Sequence, residues 1–390
     1  MIEWKKRTFV RIIRDSQRKR PMKNKAFEFR IYPNKEQKIL LAKTFGCTRL
    51  VFNHFLALRK ERYEESRETV SYYQCTKELT RLKKERTFLK EVDSVALQQS
   101  LRHLDTAFDR FFKGVSEYPK FKCKHKGKKT YSSICINNNI RLENGKIRLP
   151  KLGPVKIKQH RPVPCDWTLR SVTVKQVPSG KYFVSILFEY ESQVREKEPE
   201  KVIGLDYSMP KLYVSSEGEK IEYPHYYRRT EERLAKEQRA LSRMEKGSRN
   251  YIKQRIKIAK LHEKIANRRK DLLHKESYRI AESYDAVCIE DLDMKGMSQA
   301  LNFGKSVHDN GWGMFREMLR YKLEDRGKSL IVTDKWFPSS QICSECGSIH
   351  PEVKDLSVKE WFCDCCLTYH DRDENAAKNI KREGMRQLSA

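Results

Sequence analysis

The sequence predicts a multidomain protein in which an antiparallel β-barrel, interrupted by helices, precedes a separate α/β domain. At 390 residues the chain is longer than a single hydrophobic core usually covers. Hairpin signals between residues 132 and 191 indicate the barrel, and strands that alternate with helices after residue 202 indicate the α/β domain. The charged, turn-rich segment 193–200 is the predicted boundary between them.

The barrel is predicted to comprise residues 23–33 and 131–195. Apolar and polar residues alternate with a period of two from Lys25 to Tyr32, as they do in a half-buried strand. Asn144-Gly145 lies between two short apolar runs and is a strong hairpin signal. A second hairpin is expected to pair residues 171–175 with residues 182–187.

Residues 34–130 are predicted to form a helical insertion in the barrel. Asn34 and Gln37 have the spacing of a capping box at the start of its first helix. The apolar stripes that follow are expected to form a core rather than a ligand site. Residues 118–131 interleave lysines with aromatic rings, which suits phosphates and bases, although a flexible solvated loop is the alternative. Residues 1–22 are expected to be a loosely ordered basic extension.

The charge predicts a nucleic-acid partner. Lys and Arg number 82 against 52 acidic residues, which gives a net charge of +30 spread over the chain. A structural RNA-binding protein has the same property, so charge alone does not predict catalysis. The sequence has neither an apolar run long enough to cross a membrane nor a secretory signal, and we expect a soluble, intracellular protein.

The α/β domain is predicted to begin with the strand Val202–Asp206 and an antiparallel meander that turns at Glu217-Gly218. Residues 228–283 are basic and helical, with a break at Gly247, and the second helix is expected to follow phosphates. The strand Ala286–Glu290 comes next. It precedes a predicted loop over residues 293–309, a helix from Trp312 and a last strand over residues 329–332.

Four cysteines have the spacing of a metal site. Cys343 and Cys346 form one Cys-x-x-Cys pair, and Cys363 and Cys366 form the other. Four thiolates fill the tetrahedral shell of Zn²⁺, so the predicted zinc is structural and not catalytic. Cys365 is one residue too close to Cys363 to replace Cys366. The other cysteines are scattered, and we expect reduced thiols without disulfides.

Three acids are candidate metal ligands. Asp206 and Glu290 each end a short apolar strand, and Asp373 lies where a helix begins just after the cysteine segment. Three carboxylates could hold two magnesium ions about 3.5–4 Å apart, which suits phosphodiester cleavage. Four nearby acids remain rival candidates: Asp291, Asp293, Asp334 and Asp371. Asp371 could instead cap the helix. His370 is expected to be structural rather than a general base.

Motifs along nearly the whole chain resemble the TnpB family of transposon-encoded RNA-guided nucleases, which is related to the type V CRISPR effectors. The matching segments are KAFEFRIYPNKEQ, VFNHFLALRKERY, VALQQSL, NNNIRLENGKIRLPKLG, IGLDYSMPKLYVSSEG, CIEDL, FPSSQICSECG and HDRDENAAKNI. The last two are the most specific. The family commonly carries Asp-x-Gly at the first acid, whereas Asp206 is followed here by Tyr207 and Ser208.

The resemblance implies an RNase H-like (RuvC) nuclease domain over residues 200–342 and 367–390, with a zinc ribbon inserted at 343–366. It implies that Asp206, Glu290 and Asp373 bind Mg²⁺ or Mn²⁺, and it selects Asp373 over Asp371. The barrel would correspond to the wedge domain and residues 34–130 to the recognition lobe.

The implied function is guide-RNA-directed cleavage of double-stranded DNA beside a short target-adjacent motif, in a prokaryotic cytoplasm, by a monomer or by a dimer on RNA. A guided DNA-binding regulator that does not cut and an unguided transposase are the alternatives. The candidate nucleic-acid contacts are Tyr72, Tyr73, Gln98, Lys120, Lys122, Asn137, Asn138, Asn139, Arg255, Lys264, Arg268 and Arg269.

Overall fold

The computed structural model describes residues 21–124, 127–300 and 304–389. The predicted basic extension lies outside the described residues except for Pro21 and Met22, and Met22 already begins the first strand. The contacts divide the chain into one unit that ends at Gln193 and another that begins at Val194.

The first unit is built on a seven-stranded antiparallel sheet with the order β2-β6-β7-β1-β5-β4-β3. Both predicted hairpins are confirmed, as β3–β4 and β6–β7. Among the described residues β2 and β3, at the two ends of the sheet, do not pair with each other, so the predicted β-barrel is a half-barrel. The strands are β1 (Met22–Tyr32), β2 (Lys129–Ile134), β3 (Arg141–Glu143), β4 (Lys146–Leu149), β5 (Gly153–Lys158), β6 (Thr168–Gln176) and β7 (Tyr182–Glu191).

The half-barrel wraps around one apolar core to which all of its longer strands contribute. Phe29 on β1, Val155 on β5 and Val184 on β7 are fully buried, and their sequence neighbours are more exposed. This alternation is the period-two pattern that predicts strands.

The helical insertion between β1 and β2 has its own core, as predicted. Its helices are α1 (Lys35–Ser66), α2 (Tyr72–Glu85) and α3 (Ser94–Phe112). The capping box at α1 is confirmed, because Asn34 accepts from the Gln37 amide and Gln37 accepts from the Asn34 amide. Phe55, Leu97 and Leu104 are at most 1 % exposed in the core between the helices.

The second unit has a five-stranded sheet with the order β10-β9-β8-β11-β12. Strands β8, β11 and β12 are parallel, and β8, β9 and β10 form the predicted antiparallel meander. The strands are β8 (Val202–Tyr207), β9 (Lys211–Ser215), β10 (Lys220–Glu222), β11 (Ala286–Glu290) and β12 (Ser329–Thr333).

The helices of this unit are α4 (Arg228–Ser242), α5 (Arg249–Ser283), α6 (Met294–Ala300), α7 (Gly304–Asn310), α8 (Trp312–Glu324) and α9 (Arg372–Ser389). Helices α8 and α9 pack on the sheet, and α4 packs on α5. The predicted break between α4 and α5 is confirmed, and Gly247 has a φ of 92°, a conformation that favours glycine. Among the described residues no helix has both the length and the apolar character needed to span a membrane.

The loop predicted over residues 293–309 is wrong, since the segment contains α6 and α7. The Asp293 carbonyl accepts a hydrogen bond from the Met297 amide, and the Asp293 carboxylate accepts one from the Gly296 amide. Asp293 therefore caps the start of α6. Helices this short give no measurable apolar periodicity in a sequence, which is why the pattern missed them.

Helix α9 packs very closely on the sheet. Ala376, Ala377 and Ile380 on its inner face are at most 2 % exposed. A Cβ at Gly204 on β8 would lie 2.2 Å from the Ala377 carbonyl oxygen, so only glycine fits there. The small residues on both elements permit this approach.

We therefore expect Gly204→Ala to destabilise the protein by about 2–3 kcal/mol, because the methyl group must push α9 away from β8. Chemical denaturation of the purified protein measures this change. Gly313→Ala is the matched control, since a Cβ at Gly313 in α8 meets nothing within 4 Å. That variant should equal or slightly exceed the parent in stability, and equal losses in both variants would contradict the account.

Candidate active site and cysteine cluster

The structure brings Asp206, Glu290 and Asp373 to one cavity of about 590 Å³. Asp206 lies near the end of β8, and Glu290 is the last residue of β11. These strands are parallel neighbours with Leu205 opposite Ile289, so the next residue on each strand is an acid. Asp373 lies in the first turn of α9, where the helix dipole favours a negative charge.

Negative charges on neighbouring acids disfavour ionisation of Asp206. Burial raises the pKa of Asp206 well above its usual range, and the charges of Glu290 and Asp373 raise it further. Burial also raises the pKa of Glu290, against the opposing effects of a hydrogen bond from Ser339 and the charge of Arg372. A cation bound between these carboxylates would relieve that repulsion.

The rival acids have other partners. Asp371 caps α9 by accepting from the Glu374 amide at 3.0 Å, and it pairs with Lys220 at 2.5 Å. Asp291 is exposed and pairs with Arg316 at 2.8 Å. Asp334 accepts from the Trp336 amide, and Asp293 starts α6. None of these rivals lines the cavity that the three candidate acids share.

The four cysteines converge as predicted. Their sulfur atoms all lie within 4.8 Å of one another, and the Cys343–Cys366 and Cys346–Cys363 pairs are 3.5 and 3.6 Å apart. A tetrahedron with Zn–S bonds of about 2.3 Å places its sulfurs about 3.8 Å apart. The four thiols therefore fit a zinc ion.

The two cysteine pairs lie on equivalent turns. The Gly347 amide donates to the Cys343 carbonyl, and the Leu367 amide donates to the Cys363 carbonyl. Gly347 and Leu367 both have positive φ, at 81° and 58°. Strand β13 (Glu360–Phe362) pairs with β14 (Tyr369–Asp371), so the hairpin of the second turn continues past residue 366 to the start of α9.

The acids do not form a cluster as tight as the cysteines. In the described part of the chain, two groups of side chains have ligand atoms that all lie within 4.8 Å of one another. One group is the four cysteines, and the other is His350, Cys363 and Asp364, which shares Cys363 with the first. A site for two ions spreads its ligands more widely, because the ions themselves are about 3.5–4 Å apart.

His370 lies against the cysteine cluster and does not line the cavity. Its Nε2 is 3.1 Å from the Cys343 sulfur, and its ring lies 4.5 Å from the Trp361 ring. His350 makes the equivalent contacts with the second cysteine pair. Its Nε2 lies 3.3 Å from the Cys363 sulfur, and its ring centre lies 4.6 Å from that of Trp361. Both rings support the ribbon, in keeping with the structural role expected for His370.

Two buried asparagines in α9, which the sequence analysis did not single out, tie the cysteine segment to that helix. Asn375 accepts from the Ser344 amide at 2.8 Å and donates to the Ile342 carbonyl at 2.8 Å. Asn379 donates to the carbonyls of Ser339 and Ile342. Both asparagines are 1 % exposed. A buried polar residue on the inner face of a predicted helix is the signal that could have found them.

The residues after Asp206 do not need the glycine that is common in the family. Ser208 is buried and does not have a positive φ. Its carbonyl accepts from Asn310, and the Tyr207 ring packs 5.4 Å from the Trp312 ring. These contacts fix the turn beside Asp206 with the residues that this chain has.

The candidate nucleic-acid contacts in the first unit have mixed surroundings. Tyr73 is 78 % exposed, whereas Tyr72 packs against the helical core and Gln98 is half-buried. The Lys122 amine lies 3.7 Å from the centre of the Phe52 ring, and Lys120 pairs with Glu117. Three asparagines form a turn: Asn137 and Asn138 have positive φ, and Asn139 accepts from the Ile136 amide.

In the second unit, the candidates Arg255, Lys264 and Arg268 are exposed on α5. Arg269 differs, because it pairs with the buried carboxylate of Asp309 at 3.2 Å. That ion pair holds α5 against α7. Arg269 therefore has a structural role in addition to the predicted nucleic-acid contact.

The fold and the site together define a class of basic, two-unit proteins. In this class a half-barrel with a helical insertion is followed by an α/β sheet that carries clustered acids and a four-cysteine ribbon inserted before the last helix.

The chain belongs to the TnpB family, also described as OrfB of IS605. It is 40 % identical to a protein of Streptomyces pristinaespiralis named "Putative RNA-guided DNA endonuclease", over 93 % of this chain and 89 % of that one. It is 31 % identical to "Putative RNA-guided DNA endonuclease InsQ" of Escherichia coli K12, with 92 % of each chain covered.

Family profiles agree with this membership, and a solved structure has a similar fold. The OrfB_IS605 profile, described as "Probable transposase", matches residues 185–301, and the "Cas12f1-like, TNB domain" profile matches residues 312–380. A helix-turn-helix profile of the same family matches residues 22–68. The Cas12f1 chain in a complex with guide RNA and target DNA has a TM-score of 0.57 and 12 % identity, over 92 % of this chain and 99 % of that one, which shows a shared fold.

Proposed function

We propose that this protein is an RNA-guided DNA endonuclease with a single RuvC-like site formed by Asp206, Glu290 and Asp373. The observation that carries the proposal is the meeting of these three carboxylates in one cavity. Two full-length relatives are named as RNA-guided DNA endonucleases, which supports the same function here.

The sheet of the second unit supports an RNase H-like assignment. It joins a three-stranded antiparallel meander to two further parallel strands, and Asp206 and Glu290 lie at or near the ends of two neighbouring parallel strands. Helix α9 then brings the third acid to the same edge.

The residues fit two kinds of metal ion. Carboxylate oxygens suit Mg²⁺ or Mn²⁺, and the repulsion between Asp206, Glu290 and Asp373 favours cation binding. Bound magnesium would supply Lewis-acid activation of water and charge stabilisation at the phosphodiester. The four cysteines would hold a structural zinc that takes no part in the reaction.

The side chains around the acids suit a phosphate backbone. The cavity is also lined by Lys220, Lys335, Lys354, Lys359 and Arg372. Their charges would attract and orient DNA phosphates, and the acids alone would repel them. Arg372 lines the cavity beside Asp373, so its guanidinium is placed to add to this positive charge.

Guide RNA and target DNA are the proposed partners. The half-barrel and its helices would act as the wedge and the recognition lobe, which hold the guide and read the motif beside the target. Base pairing with the guide would supply most of the sequence specificity, as it does in other guided effectors. The net charge of +30 supports a large nucleic-acid interface.

Sequencing of the RNA that co-purifies with the protein tests the guided function. We expect one defined RNA species, and its addition should enable cleavage of matching DNA. Persistent DNA binding without cleavage in Mg²⁺ and Mn²⁺ would instead favour a guided regulator, and DNA strand transfer without RNA would favour a transposase.

A further inference from the structure

One exposed tryptophan lies at the candidate active site. Trp336 is 80 % exposed and lines the cavity with the three acids. The other tryptophans in the described part of the chain are buried or half-buried: Trp167, Trp312 and Trp361. An indole has a large apolar face that it can bury against a partner.

The Trp336 backbone is fixed although its ring is exposed. Its amide donates to the Asp334 side chain at 2.8 Å, and the Phe337 amide donates to the Asp334 carbonyl at 3.1 Å. Three residues further on, the Ser339 hydroxyl donates to Glu290. The turn that carries the indole is therefore attached directly to one of the candidate metal-binding acids.

One cation lies close to this ring, and others share its cavity. The Lys335 amine lies 5.1 Å from the centre of the Trp336 ring, and Lys354 and Lys359 line the same cavity. A flat ring flanked by positive charges is the usual arrangement for single-stranded nucleic acid, in which bases stack and phosphates pair with cations. A protein partner or a purely apolar ligand would not require these cations.

We propose that Trp336 stacks on a base of the single-stranded DNA at the active site and so holds the adjoining phosphate beside the three acids. This inference rests on the proposed function and adds a substrate-binding residue to it. Every base offers a flat face, so the contact tolerates any sequence, as a guided nuclease requires.

The test compares Trp336→Ala and Trp336→Phe with the parent, each bound to guide RNA. In the background of Asp206→Asn, the affinity for a fluorescent single-stranded DNA oligonucleotide is measured without cleavage. We expect Trp336→Ala to weaken binding by roughly 5- to 100-fold and Trp336→Phe to retain part of the affinity. In otherwise native protein, Trp336→Ala should raise the KM for DNA more than it lowers kcat.

Tyr278→Ala is the matched control, since Tyr278 is 54 % exposed on α5 and does not line the cavity. It should bind and cleave like the parent. Unchanged DNA affinity and KM in Trp336→Ala would overturn the stacking role. If the parent never cleaves DNA but Trp336→Ala still weakens oligonucleotide binding, the proposed nuclease fails while the stacking role stands.

Discussion

Replacement of Asp206 by Asn, Glu290 by Gln or Asp373 by Asn should each lower guided DNA cleavage by roughly 1,000-fold or more. Each change removes one carboxylate from a site in which charge on the metal ions stabilises the transition state by several kcal/mol. The side chains keep their size, so the fold and guide binding should persist. Single-turnover cleavage of a matched target in Mg²⁺ measures the loss.

Asp291→Asn is the matched control for these variants. Asp291 follows Glu290 directly, but it is exposed and pairs with Arg316. We expect cleavage within a few-fold of the parent. If Asp291→Asn loses as much activity as Glu290→Gln, the assignment of the site is wrong.

The same acids should reduce stability when no metal is bound. The folded state raises the pKa of Asp206, so its ionised form is disfavoured and stability falls as the pH rises through that pKa. Asp206→Asn removes this effect, and in the presence of EDTA at pH 7 it should unfold at an equal or higher temperature than the parent. This difference should shrink at acidic pH.

Loss of the predicted zinc should impair cleavage without removing any metal-binding acid. Cys363→Ala takes one of four ligands from the cluster, and we expect the ribbon to lose its order. Asn375 and Asn379 then lose the ordered carbonyls and amide that they bind, and α9 shifts together with Asp373. A displacement of about 1 Å at a reacting group can cost about 100-fold in rate.

The measurements are the zinc content of the purified protein and its single-turnover cleavage rate. Cys365→Ala is the matched control, because Cys365 is exposed and lies between the two ligands of the second pair. It should keep one zinc per chain and parental cleavage. Normal cleavage by a zinc-free Cys363→Ala protein would show that the ribbon and the acid site are independent.

Much of the fold could be predicted because the signals are local. Asn144-Gly145 specifies a hairpin, the Asn34 and Gln37 side chains cap α1 reciprocally, and alternation along β1 matches its buried face. The closure of a sheet depends instead on contacts between distant strands. For that reason the sequence could not show that β2 and β3 do not pair with each other.

In the candidate site, too, local patterns could be predicted and contacts between distant residues could not. Strand-end position pointed to Asp206 and Glu290, and ligand spacing pointed to the cysteines. The cap that Asp371 provides is local and could be predicted, whereas the pairing of Asp371 with Lys220 and the bond between Asn375 and Ser344 join residues far apart in the sequence. No periodicity or spacing reports such contacts.

The most direct test of the central claim pairs two guide RNAs with two target DNAs. The account predicts that parental protein in Mg²⁺ cuts each DNA only with its matching guide, and that EDTA or Asp206→Asn abolishes cutting while guided binding remains. Cleavage that ignores the guide, or full cleavage by Asp206→Asn, would contradict it.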